Sequence, residues 1–199
     1  MVIQYTNRRQ QTFYLHQGTT SKGKPQYYFS QKPADNLPET IPDGYEIYEH
    51  PNAQVFLRKI LPQLITPEEI ALIKQGIEKY SSMQEKQAFL VDVKKEHLII
   101  YLRDQDIEKM TDELSQTSPL SRESLVEVLL KQVTYSPMMR LTLEDVQDRT
   151  FLLERWCFRG SIDDWISLDQ SNDLQDLAKK YFCHLGKETF FDLFYQGRH

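Results

Sequence analysis

The chain of 199 residues has little cysteine and lacks the common targeting signals. Its two cysteines, Cys157 and Cys183, stand far apart and neither belongs to a CxxC pair, which argues against a disulfide scaffold or a zinc ribbon. No stretch approaches the roughly 18 apolar residues of a membrane span, and the first ten residues contain no apolar signal-peptide segment. We therefore expect a soluble, cytoplasmic protein with reduced thiols and no membrane partner.

The short motifs of common enzyme classes are also missing. The sequence contains no HExxH, EF-hand loop, GxxxxGK[ST], GxGxxG or GxSxG motif. The histidines show no metal-ligand spacing, and the adjacent Cys183 and His184 would point about 100° apart on a helix. The sequence therefore predicts no metal site and no cofactor, and its catalytic residues are unknown. A binding or adaptor protein is favoured over an enzyme, with protein or nucleic acid as its partner; oligomeric state is left open.

Acidic residues are absent from the first 32 positions. This segment contains five basic side chains, a formal charge of +5, whereas all 29 Asp and Glu residues lie after it. It also carries six Tyr and Phe residues, and cations interleaved with aromatic rings can bind phosphates and stack bases. The same pattern is typical of an ordinary sheet whose lysines protect its edges, and that interpretation is favoured. The candidate nucleic-acid-binding residues are Arg8, Arg9, Lys22, Lys24 and Tyr27.

Alternation of apolar and polar residues predicts an antiparallel β-meander at the start of the chain. Its strands are expected at residues 2–6, 12–17 and 25–30. Three prolines then predict an extended connector over residues 31–44. Two further strands, at residues 45–50 and 54–60, are expected to complete the same sheet.

A mixed body of helices and strands is predicted for the rest of the chain. Thr66, Pro67 and Glu69 form a capping-box pattern that starts a helix ending near residue 81. The further elements expected are a hairpin at 88–93 and 97–102, helices at 105–114 and 122–133, paired strands at 138–143 and 150–158, and helices at 174–184 and 187–195. The apolar helix at 122–133 is expected to be well buried, and Ser171 or Asn172 to cap the helix at 174–184.

These elements predict an α+β fold, with an N-terminal antiparallel meander followed by a mixed helix and strand body. Two regions are expected: a basic, aromatic β-sheet region at residues 1–61 and an acidic α+β region at residues 62–199. The alternative is one compact domain overall.

The densest group of unusual residues lies at positions 155–165. Arg155 and Arg159 precede Gly160, and Asp163 and Asp164 follow it. As a ligand or enzyme site, the arginines would bind a carboxylate or phosphate. The favoured alternative is a strand-to-helix corner, in which Trp156 is largely buried, Ser161 caps a short helix, and an arginine pairs with an aspartate as scaffolding.

Three segments resemble a set found in a family of uncharacterised bacterial proteins. They are GKPQYYFS at residues 23–30, GYEIYE at 44–49 and QVFLRK at 54–59. The resemblance covers mainly the first 65 residues. It implies a bacterial, cytoplasmic protein and supplies no catalytic residue.

Overall fold

The computed structural model describes residues 2–35, 37–82, 87–159 and 162–194. The described strands are β1 (Gln4–Thr6), β2 (Thr12–Thr19), β3 (Pro25–Ser30), β4 (Tyr45–Glu49), β5 (Val55–Lys59), β6 (Phe89–Lys94), β7 (His97–Arg103), β8 (Tyr135–Asp145), β9 (Thr150–Arg159) and β10 (Ile162–Ser171). The described α-helices are α1 (Pro67–Tyr80), α2 (Ile107–Ser115), α3 (Arg122–Leu130) and α4 (Leu174–Tyr181). The fold is α+β, as predicted from the sequence.

The chain divides into two compact units. Unit 1 contains residues 1–60 and 104–134, and unit 2 contains residues 61–103 and 135–199. Residues 104–134, which carry α2 and α3, therefore group with the N-terminal strands although they lie within the second of the two predicted regions.

Unit 1 is built on two small antiparallel sheets. Strands β1, β2 and β3 form the predicted meander in that order. Strands β4 and β5 are where the sequence places them, but the expectation that they extend the meander is wrong. They pair only with each other among the described strands, in register Tyr45 to Lys59, and form a separate two-stranded sheet. The hairpin satisfies its own inward-facing backbone groups, and β5 packs against β3.

Helices α2 and α3 begin at side-chain caps and are only partly buried. The side chain of Asp106 accepts a hydrogen bond from the backbone of Lys109, and Ser121 caps α3 in the same way. The expected deep burial of α3 is wrong. Only Leu125 and Leu129 are buried within it, while Val128 is 42% exposed, because the apolar run passes around the helix instead of staying on one face.

Unit 2 is a five-stranded antiparallel sheet with helices on one face. The strand order is β10-β9-β8-β7-β6. Alternate residues such as Ile100, Leu141 and Leu153 join side chains of α1 and α4 in one hydrophobic core. Among the described helices, none is long and apolar enough to cross a membrane.

Helix α1 starts at the predicted capping box. The hydroxyl of Thr66 accepts from the backbone N–H of Glu69, and the Glu69 carboxylate accepts from the backbone N–H of Thr66. Arg149 donates to the same carboxylate, so the start of α1 is tied to the turn between β8 and β9.

The last third of the chain contains one more strand and less helix than predicted. The short helix expected after Ser161 is instead β10, which pairs with β9 over its whole length. Gly160 and Ser161 lie outside the described residues. Helix α4 is capped by Asp173 and not by Ser171 or Asn172, since the Asp173 carboxylate accepts from two backbone N–H groups. The expected terminal helix is reduced to a 3-10 turn at Glu188–Phe190.

Candidate functional site

The meander has two faces of different chemistry. The inner face carries Tyr5, Phe13, Leu15, Tyr27 and Phe29, with Leu15 fully buried. The outer face carries the residues between them: Gln4, Thr6, Thr12, Tyr14, His16, Gly18, Gln26, Tyr28 and Ser30. The outer face therefore has polar and aromatic side chains and no carboxylate.

An aromatic stack lies on this outer face. His16 and Tyr28 are directly opposite in the register of β2 and β3, and their rings are stacked at 5.2 Å between centroids with 14° between planes. Nε2 of His16 lies 2.9 Å from the backbone oxygen of Lys32. A carbonyl only accepts hydrogen bonds, so Nε2 carries the proton and the imidazole is held in place. Tyr28 is 48% exposed and presents its ring to solvent.

Lysines flank this stack along β3. Lys22 and Lys24 are exposed in the turn between β2 and β3, where the hydroxyl of Thr20 accepts from the backbone of Lys24. Lys32 is exposed just after the other end of β3. Since β3 has six residues at about 3.3 Å each, cationic side chains bracket a strip of roughly 20 Å.

The two predicted arginines serve the structure of unit 1. Nε of Arg8 donates to Glu49 at 2.7 Å, and a terminal nitrogen donates to the backbone oxygen of Pro51. Burial raises the pKa of the Glu49 carboxyl, but hydrogen bonds from Arg8 and Tyr5 outweigh burial and leave the pKa below its ordinary value. Nη2 of Arg9 donates to the backbone oxygen of Val133 at 2.5 Å, which links the β1–β2 turn to the segment after α3.

The structure therefore separates the five predicted nucleic-acid-binding residues. Lys22 and Lys24 lie exposed beside the stack, Arg8 and Arg9 are engaged at the other turn, and Tyr27 is half-buried on the inner face. His16 and Tyr28 were not among the predicted residues. Strand alternation gives a signal for them, because it places His16 on the face opposite the apolar Leu15 and Tyr28 on the face opposite Phe29.

Arg155 holds the C-terminal segment of unit 2. It is 3% exposed, and its guanidinium donates to the backbone oxygens of Leu193 at 2.6 Å and Phe191 at 3.3 Å. The pairing predicted for Arg155 or Arg159 with Asp163 or Asp164 is not made by Arg155, because its guanidinium donates to backbone oxygens, and both aspartates are exposed on β10. The side chain of Arg159, the other candidate, lies outside the described residues.

Trp156 is half-buried, not largely buried as predicted. It pairs across the strands with Trp165, edge to face, with ring centroids 5.0 Å apart. The guanidinium of Arg140 lies 4.6 Å from the ring centroid of Trp165. The aromatic pair therefore lies on the face of the sheet opposite the core.

A hydrogen-bonded cluster shares that face with the tryptophans. Arg140 donates two hydrogen bonds to Glu154, at 2.6 and 2.9 Å, and the Thr142 hydroxyl donates to Glu154 at 3.2 Å. Nδ1 of His97 lies 3.1 Å from the same hydroxyl. Since Thr142 has one proton and gives it to Glu154, neutral His97 must donate from Nδ1, which leaves a lone pair on Nε2. We call Arg140, Thr142, Glu154 and His97 the Glu154 cluster.

The environment of His97 favours its neutral form. Burial is the largest effect and lowers the pKa of the imidazole, Arg140 lowers it further, and Glu96 and Glu154 oppose them without prevailing. Side-chain exposure is 34% for His97 and 24% for Arg140, so the cluster is accessible at its edge.

Within the described residues, no three His, Cys, Asp or Glu side chains are grouped so that they could hold a metal ion. Both cysteines are free thiols, Cys157 buried and Cys183 half-buried. No protein-family model, no curated protein and no solved structure matches the chain.

Proposed function

We propose that this protein is a binding module that contacts single-stranded nucleic acid through the outer face of the meander. The observation that carries the proposal is the His16–Tyr28 stack, with its exposed tyrosine, between Lys22 and Lys24 at one end and Lys32 at the other. A base stacks on the exposed tyrosine, and the lysines contact the phosphates on either side of it. Stacking on an open sheet requires unpaired bases, so a single strand is the favoured ligand.

The distribution of charge favours the meander as the contact surface within unit 1. Residues 1–32 carry no acid, whereas residues 104–134 of the same unit carry seven acidic and three basic side chains. The acidic surface repels a phosphate backbone, and the meander attracts it. With about three lysine–phosphate contacts, the logarithm of the affinity should fall with the logarithm of salt at a slope of about −2.

Fluorescence anisotropy with labelled single-stranded and duplex oligonucleotides at low salt tests the proposal. We expect Tyr28→Ala to weaken binding of the single strand by about 5- to 150-fold, the loss of one stacked base. The double variant Lys22→Ala, Lys24→Ala should weaken binding and make the salt slope shallower by about 1.4, the contribution of two single-strand phosphates.

A matched control is the double variant Lys74→Ala, Lys187→Ala, which removes two exposed lysines from unit 2. It should leave both affinity and salt slope unchanged. If the unmodified protein shows no binding at low salt in a titration that reaches about 10⁻⁴ M, the proposal is wrong, because even non-specific binders reach Kd values of about 10⁻⁴–10⁻⁶ M.

As part of this proposal, we place the protein in the cytoplasm of a bacterium. The resemblance of the first 65 residues to bacterial proteins supports it. The two free thiols are also what a reducing compartment maintains.

The second candidate is an enzyme whose dispersed site includes the Glu154 cluster, beside the segment 155–165. The accessible His97 favours it, because a neutral imidazole is a general base, and its Nε2 lies 3.7 Å from the Glu96 carboxylate. The chain has two tryptophans, both at this face, so small-molecule binding there should change intrinsic fluorescence. A response that His97→Gln abolishes would support this function, and a library of small metabolites without any response would oppose it.

A further inference from the structure

Strand β6 forms one edge of the five-stranded sheet of unit 2, because it pairs with β7 on one side only. In an antiparallel pair, residues that bond to the neighbouring strand alternate with residues whose backbone groups point away from it. The N–H of Arg103 donates to the backbone oxygen of Ala88 at 2.9 Å, so Ala88 and every second residue after it bond to β7. The residues whose backbone groups point outwards from the sheet are therefore Phe89, Val91 and Val93.

These outward backbone groups have no hydrogen-bond partner among the described residues. The edge is closed just beyond the strand, where the N–H of Leu64 donates to the backbone oxygen of Lys95 at 3.2 Å. Along β6 itself, a row of N–H and C=O groups is left in regular extended geometry, since the strand keeps one register with β7 over its whole length. The group that satisfies such a row is the backbone of another extended strand.

The two edges of this sheet differ in how well they are protected against such pairing. Strand β10, at the opposite edge, carries the exposed Asp163 and Asp164 and a bulge after Ser167, and charges and bulges keep edge strands from pairing. Strand β6 has no proline and no bulge, and its two charges, Asp92 and Lys94, form an ion pair with each other at 3.2 Å. A strand that approaches β6 therefore meets no uncompensated charge on it.

We infer that two copies of this chain associate through β6, related by a two-fold axis at Val91. With Val91 opposite Val91 of the second copy, Phe89 lies opposite Val93, so every outward residue meets another outward residue. Each such pair exchanges two backbone hydrogen bonds. All three side chains lie on the core side of the sheet, packed against the hydrophobic core. Aromatic and β-branched residues are favourable cross-strand partners, so the core side continues from one copy into the next.

Self-complementarity favours a second copy over an unrelated strand. The partner must present apolar side chains on the core side at every second position and bring no unpaired charge on the other side. Strand β6 meets both conditions, and in this register Leu90 lies opposite Asp92 of the second copy, so that like charges are not directly opposed. Such an interface is isologous and closes as a dimer. Its small size predicts weak association.

Sedimentation equilibrium of the full chain tests the inference. We expect the average mass to rise from 23.6 kDa towards twice that value as the concentration increases from about 1 μM to about 1 mM. Val91→Pro removes an N–H that the single copy does not use, and proline is tolerated on an edge strand at such a position. This variant should stay at the mass of one copy throughout. The matched control is Val91→Thr, which keeps the N–H and the β-branched shape and should still associate.

Amide hydrogen exchange locates the contact in the unmodified protein. The N–H groups of Val91 and Val93 should exchange rapidly at low concentration and about tenfold more slowly at high concentration. The N–H of Leu90 should exchange slowly at every concentration, because it bonds to β7 within one copy. The control is the N–H of Trp165 on β10, which donates to the Asp164 carboxylate and should not change with concentration.

An average mass of 23.6 kDa at every concentration would overturn the inference. Association that Val91→Pro leaves intact would also overturn it, because the contact then lies elsewhere. Exchange that slows at Trp165 and not at Val91 and Val93 would place the contact on β10 and refute the β6 interface. If circular dichroism shows that Val91→Pro is unfolded, Val93→Pro takes its place, since the N–H of Val93 also points outwards.

Discussion

At the scale of single residues, the arginines show why residue type alone does not identify a site. Arg8, Arg9 and Arg155 looked like candidates for anion binding, and each donates to groups of its own chain. A buried arginine requires acceptors, and backbone oxygens of an irregular segment are available acceptors. The exposed Tyr28 and the half-buried His16 of the meander are less unusual in sequence, yet they form an accessible surface.

Arg155 should therefore contribute to stability. We expect Arg155→Ala to lower the free energy of unfolding by about 2–4 kcal/mol, because the carbonyl groups of Phe191 and Leu193 lose their donor. The control is Arg122→Ala, which removes an arginine that is 52% exposed in an ion pair with Asp112 and should cost about 1 kcal/mol or less. Urea melts followed by tryptophan fluorescence measure both. Wild-type stability in Arg155→Ala would return this residue to the list of ligand-binding candidates.

At the scale of elements, the sequence correctly predicted the features that depend only on neighbouring residues. The capping box of α1 and the alternation of the meander need only neighbouring residues, and both are found in the structure. Strand β10 is the contrary case, because Ser161 with two following aspartates is a typical helix start. Pairing with β9 overrides that preference, and Trp165 then lies opposite Trp156. The separate β4–β5 sheet escaped prediction for a similar reason, since sequence identifies strands more readily than their partners.

The contact between α1 and α4 is another feature that the sequence does not reveal. A Cβ added at Gly76 would lie 2.8 Å from Cβ of Ala178 and 3.4 Å from the ring of Phe182. We expect Gly76→Ala to destabilise the protein, because overpacking costs about 1–3 kcal/mol and the better helix propensity of alanine returns up to about 1 kcal/mol.

A double-mutant cycle with Ala178→Gly isolates this contact. Ala178→Gly should destabilise the wild-type protein and do so less in the Gly76→Ala background, where it relieves the clash. Thermal melts of the four proteins give the coupling energy. Strictly additive effects would mean that the two helices move apart at no cost.

At the scale of the whole molecule, the return of the chain to unit 1 at residues 104–134 was the least predictable feature. No composition shift marks the boundaries at Arg103 and Tyr135, because a compact unit is defined by contacts between distant segments. The return of the chain also changes the net charge of unit 1. The basic meander shares its unit with seven acids on residues 104–134, so +5 at the N-terminus does not make unit 1 a basic domain.

The two units differ in the size of their cores. Among the described residues, unit 1 buries seven hydrophobic side chains and unit 2 buries 23. Burial of apolar area is the main favourable contribution to folding, at about 25 cal/mol per Å². We therefore expect unit 1 to unfold at lower urea concentration than unit 2.

Two optical signals distinguish the units. Both tryptophans lie in unit 2, so their fluorescence follows unit 2, whereas far-UV circular dichroism follows both units. We expect an early transition in circular dichroism that tryptophan fluorescence does not show. A saturating single-stranded oligonucleotide should move this early transition to higher urea and leave the later one in place, because a ligand stabilises the unit that binds it by RT ln(1 + [L]/Kd). Coincident transitions would show that the protein unfolds as one cooperative unit, and a shift of the later transition alone would place the oligonucleotide on unit 2.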